Sequence, residues 1–109
     1  MRTYAYRRIL KVKDVTRTYI TTNLTPDLIG LNIPQQIIDG FVSELELKCL
    51  YGLDFNFGTK EFPFEIFVTL SHNSYCITNY SFIGKITVTK YPFRKDIADV
   101  RGDIKIDNI

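Results

Sequence analysis

Alanine is nearly missing from this 109-residue chain, with Ala5 and Ala98 its only two copies. Alanine is the best intrinsic helix former, so its scarcity removes the residue on which exposed helices most often rely. Fourteen Ile, eight Phe and seven Tyr fill apolar positions instead. Such β-branched and aromatic side chains suit a pleated, half-buried surface. An AT-rich gene favours Ile, Asn, Lys, Tyr and Phe codons and produces the same bias whatever the fold.

Cysteine occurs only at Cys49 and Cys76, and histidine only at His72. These form no C-x-x-C or H-x-x-x-H pair, and a structural zinc site needs about four such ligands. Both thiols are therefore expected in the core, and His72 as a solvated turn residue. A phosphate-cradling glycine loop and a nucleophile elbow are absent too. Glu44 and Glu46, read as neighbours on one strand face, stand roughly 7 Å apart, but glutamates on a wet strand face need no catalytic explanation. The chain is expected to be no enzyme and to need no metal, no cofactor and no small-molecule ligand.

No basic-then-apolar leader opens the sequence, and no apolar run approaches the roughly 18 to 20 residues of a membrane span. Localisation in the cytoplasm or within a virus particle follows as an expectation, where thiols outlast disulfides. The glycosylation patterns at Asn23 and Asn79 then carry no meaning. Arg101-Gly102-Asp103 matches a cell-adhesion tripeptide but reads more simply as a turn before the last strand.

At this length one core forms without staples, and residues 1–109 read as a single β-rich domain. Thr3 to Lys13 alternates as a strand, with Tyr4, Tyr6, Arg8 and Leu10 on one face and Arg7, Ile9 and Lys11 on the other. Thr16 to Thr22 reads as a second strand, paired with it as a hairpin. Two helix starts, Thr25-Pro26-Asp27 and Asn32-Ile33-Pro34, precede early stops at Gly30 and Gly40, which predicts one or two short helical turns near residues 26–40. Residues 41–51 are ambiguous. A helix aligns Ile33, Ile37, Phe41, Leu45 and Cys49 but strands Leu47 and Leu50 and must cross Gly40; a strand is favoured. Further strands are expected at Leu53 to Phe57, Phe62 to Leu70, Tyr75 to Tyr80, Ile83 to Tyr91 and Asp103 to Ile109, with a helical turn at Asp96 to Val100. Pro63 suits an outward-facing or edge position, because it cannot donate to a ladder. Seven or eight short strands at this rhythm predict a small β-sandwich or barrel.

Net charge is only +2, but it is unevenly spread. Residues 1–25 carry six basic groups and one acid, residues 26–70 two basic groups and seven acids, and residues 71–109 six basic groups and four acids. Complementary blocks can steer protein association. The leading expectation is accordingly a structural or interaction module, a subunit of a larger protein assembly such as a virus or phage particle. Glu44, Glu46, Asp54, Glu61 and Glu65 are its candidate contacts, with a protein partner or a second copy opposite them. The alternative is an OB-like nucleic-acid-binding barrel using Arg7, Arg8, Lys11, Lys13 and Arg17, interleaved with tyrosines that stack on bases. A small inhibitor or immunity-type protein is the third.

Overall fold

Strict alternation over the first ten described residues makes a strand, and the same in-phase alternation recurs three times near the C-terminus. A computed structural model describes residues 2–109. Strand β1 (Arg2–Lys11) leads through a 3-10 turn (Val12–Asp14) into helices α1 (Arg17–Gly30) and α2 (Gln35–Lys48). Strands β2 (Gly58–Asn73), β3 (Cys76–Lys90) and β4 (Ile97–Asn108) follow. All pairings are antiparallel in one open sheet of order β1-β4-β3-β2. The protein is mainly β, but the sheet does not close into a barrel and has four long strands, not seven or eight short ones.

Both helices lie on one sheet face. Even-numbered residues supply that face: Phe62, Phe64 and Ile66 from β2, Phe82, Ile86 and Val88 from β3, and Val100, Ile104 and Ile106 from β4 are all buried. Ile37, Phe41 and Leu45 of α2 reach down into them, with the Phe41 ring stacked on Phe82 at 4.1 Å between centroids. Full burial of each such side chain stabilises by roughly 1.5–3 kcal/mol.

Several local expectations fail for identifiable reasons. Thr16 to Thr22 is not a strand. The Thr16 side chain accepts a hydrogen bond from the Tyr19 N–H and caps α1, whose buried stripe runs Ile20, Leu24, Leu28. Pro26 lies inside that helix rather than at its start. Gly40 does not stop α2. It lies against β2, where a Cβ would sit 2.8 Å from Val68 Cγ1, so glycine is what lets the helix settle on the strand. Residues 41–48 are thus helical, and i+4 spacing outweighs a strand pattern that Leu47, 61 % exposed, had made attractive. Leu53 to Phe57 is loop, whereas Tyr75 to Tyr80 and Ile83 to Tyr91 merge into β3. Asp96 to Val100 enters β4 directly, and Arg101-Gly102-Asp103 is mid-strand. There the bare Gly102 admits the Tyr6 ring, which packs where a Cβ would stand. Pro63 is on β2, an edge strand as expected.

Candidate functional site

The two faces of β1 divide the basic N-terminal set. Tyr4, Tyr6 and Arg8 turn toward the helices. Tyr4 and Tyr6 stack at 5.7 Å, the Tyr4 hydroxyl donates to Asp27, and Arg8 pairs with the same carboxylate at 2.5 Å while lying over Tyr6. Burial, with the Asp27 contact behind it, pushes the Tyr4 phenol up to about 12; burial pushes Tyr6 higher still. Arg7 points to the open face, where its guanidinium grips Asp99 at 2.7–3.1 Å. That grip holds the Asp99 carboxyl below the usual aspartate range. Lys11 ends β1 and Lys13 sits exposed in the 3-10 turn, while Arg17 opens α1. The five cations form no single stripe, and Tyr4 and Tyr6 offer no free stacking platform.

The acidic set is equally dispersed. Glu44 and Glu46 are on α2, two positions apart and so on different helix faces; Glu44 pairs with Lys48, and Glu46 accepts from Thr18. Glu61 and Glu65 occupy the open face of β2, Glu61 paired with Lys85. Asp54 lies in the loop before β2. The thiols differ as well. Cys49 is half-buried, and burial pushes its thiol up. Cys76 is exposed rather than in the core. His72 is exposed in β2, its Nε2 2.8 Å from Thr78 Oγ1.

Two features stand out at opposite ends of the sheet. The first is an arm. β4 and the C-terminus reach only to Tyr80 and Asn79, through the Tyr80–Asn108 pair and an Ile109 N–H to Asn79 carbonyl bond. Beyond them, residues 69–78 of β2 and β3 pair only with each other. This overshoot draws the molecule out to 56 × 22 × 18 Å. A strand of 16 residues is about three times the common length. At the arm's tip Tyr75 is 98 % exposed, with Ile77 exposed along it and Phe67 exposed on β2 just before it. No Asp, Glu, Lys or Arg occurs from Ile66 to Gly84, in a chain that is 24 % charged overall.

The second is a cleft of about 1050 Å³, walled by the start of α1, the loop of residues 49–57 and the β3–β4 loop. No family model, curated protein or solved structure matches this chain. The chemistry of the cleft must therefore be read from its own side chains. Arg17, Lys90, Arg94 and Lys95 line it against the single carboxylate of Asp54. Lys90 is buried; its ammonium donates to the carbonyls of Leu53 and Phe55, the latter at 2.9 Å, and lies 4.6 Å from the Phe55 ring centroid. Burial lowers its pKa, with Asp54 opposing. Arg17 covers Tyr51 at 4.6 Å, and the Tyr51 hydroxyl donates to the Leu47 carbonyl. Among the described residues no cluster of His, Cys, Asp and Glu is set to hold a metal, and no helix is long and apolar enough to cross a membrane.

Sequence reading missed both features. The uncharged stretch between Glu65 and Lys85 was visible as a signal for the arm. The cleft had none, since its cations come from positions 17, 90, 94 and 95.

Proposed function

We propose that this protein is a non-enzymatic interaction module, a subunit of a protein assembly that docks through the β2–β3 arm. The carrying observation is an exposed two-stranded ribbon, free on both edges and devoid of charge. Natural sheets blunt free edges with charged side chains, proline or short strands. The inner part of edge strand β2 follows that rule with Lys60, Glu61, Pro63 and Glu65, and edge strand β1 follows it with Arg2, Arg7, Arg8 and Lys11. Residues 69–78 do not. An isolated two-stranded hairpin is marginal in water, and backbone groups on its outer edges are available for strand addition by a partner, with Phe67, Tyr75 and Ile77 as apolar anchors.

The acidic residues first expected to make the contact play a smaller part in this view. Glu44 and Glu61 are already paired within the fold, and the single ion pair between residues 1–25 and 26–70 among the described residues is Arg8–Asp27. The contact is therefore apolar and backbone-led rather than a meeting of opposite charges. The setting, a virus or phage particle or another assembly, is decided by the partner that is recovered.

The test replaces residues 71–77 by an Asn-Gly turn joining the paired Leu70 and Thr78, which keeps Leu70 against the core along with the sheet and both helices. Light scattering after size exclusion, together with pull-down, then compares the two proteins. The full chain is expected to run heavier than its 12.7 kDa monomer or to retain a stoichiometric partner, and the armless chain to do neither. A strict monomer without partner, or association that survives loss of the arm, overturns the proposal.

A further inference from the structure

We infer that the cleft at the other end of the sheet binds a nucleotide unit, with phosphate held by Arg94 and Lys95 and the base stacked on exposed rings of the rim. This site is independent of the arm. It also differs from the surface on which nucleic-acid binding was first expected, sharing only Arg17 with that set.

Three observations converge. The cations are available: Arg94 and Lys95 are exposed on the β3–β4 loop and make no ion pair or hydrogen bond with any described residue. Four basic side chains against one carboxylate attract an anion, and a partly enclosed cleft focuses that field. The rings are also available. Phe57 is 68 % exposed, Tyr51 55 % and Tyr91 37 %, all within one lining. Exposed aromatic rings beside cations are the working surface of single-strand binders, because every base offers a π-face. The wall, finally, is built before any ligand arrives. Lys90 ties the carbonyls of Leu53 and Phe55 to the end of β3, Lys60 donates to the Gly52 carbonyl at 3.1 Å, and Arg17 with the Leu47 carbonyl fixes the Tyr51 ring. Side chains fixed in advance lose less entropy on binding.

A purely anionic ligand would use the cations and leave three rings in water; an apolar one would leave the cations unused. A phosphate joined to a flat aromatic base uses both. The same unit occurs free or within a single strand, and the probes below separate the two.

The test titrates the full chain at low salt with fluorescein-labelled oligo(dT), with TMP and with inorganic phosphate. Arg94→Ala with Lys95→Ala is expected to weaken nucleotide binding about tenfold or more. For the oligomer it should reduce the log–log salt slope by about 1.4, the value for two single-strand phosphate contacts. Phe57→Ala should weaken binding about fivefold or more with the slope unchanged, as loss of one stacked base requires. Lys105→Ala, exposed on β4 opposite Ile83 and remote from the cleft, should leave affinity within twofold. TMP bound as tightly as the oligomer assigns a free nucleotide; oligomer bound far more tightly assigns a strand. The inference is overturned if neither probe binds, if the double variant binds normally, or if inorganic phosphate or duplex DNA competes as well as the single strand.

Discussion

Tyr4 and Tyr6 share one strand face and stack on each other, yet removing their hydroxyls should move stability in opposite directions. The Tyr6 hydroxyl is buried and has no hydrogen-bond partner among the described residues. An unpaired buried polar group costs about 1–3 kcal/mol. Tyr6→Phe keeps the ring over Gly102 and the stack with Tyr4, and so should stabilise by about 1 kcal/mol, taking the low end because the side chain is only partly buried. In a domain of this size that raises Tm by about 4 °C. The Tyr4 hydroxyl instead donates to the Asp27 carboxylate beside Arg8. Tyr4→Phe deletes a hydrogen bond to a charged group and should destabilise by about 1–2 kcal/mol. Urea unfolding followed by circular dichroism measures both, with unchanged m-values showing that the denatured state is not the cause. Destabilisation of Tyr6→Phe by more than about 0.5 kcal/mol would refute the reasoning, because the hydroxyl would then have a partner.

Other consequences follow from the core and the ion pairs. Phe41→Ala removes the ring stacked on Phe82 and tilted against Phe64 and should cost about 3–5 kcal/mol in the same assay. Lys90→Met leaves the Leu53 and Phe55 carbonyls without their donor and should cost about 2–3 kcal/mol, with faster amide exchange confined first to residues 49–57. Because the Arg7 contact holds the Asp99 carboxyl below the usual aspartate range, the carboxylate's contribution is fully present above about pH 4 and is lost as pH falls through the lower folded value. Urea midpoints of Asp99→Asn should therefore fall less steeply than those of the parent between pH 4 and 2. Cys76 should react with a thiol reagent well before Cys49, which is partly buried and harder to ionise.

What the sequence makes legible is whatever depends on alternation within one segment. β1, with Tyr4, Tyr6, Arg8 and Leu10 on its inner face, can be read directly, as can the run Phe62, Phe64, Ile66, Val68, Leu70 of β2. The helices were harder to see because the deciding contacts are remote. Gly40 looks like a stop until Val68, on another element, is found against it. Thr16 to Thr22 looks like a strand because β-branched residues dominate it, and only the cap at Thr16 with the Ile20, Leu24, Leu28 stripe declares a helix. Tyr80, Phe82, Ile86 and Val88 share one phase, but reading Tyr75 to Tyr80 and Ile83 to Tyr91 as separate strands split β3 in two. Breaking long strands into short ones is what turned an open sheet into a predicted sandwich or barrel. Charge blocks along the chain also misled, since they do not become patches: alternation sends Arg7 and Arg8 to opposite faces, while the cleft collects its cations from three separate segments.

The arm is the most direct place to test the account, and hydrogen–deuterium exchange across a concentration series that spans association, or with a captured partner present, addresses it residue by residue. Amides of residues 69–78 should gain protection as the assembly forms, while those on the β1 edge exchange as before. Association with protection on β1 or the open sheet face, and none on the arm, would contradict it.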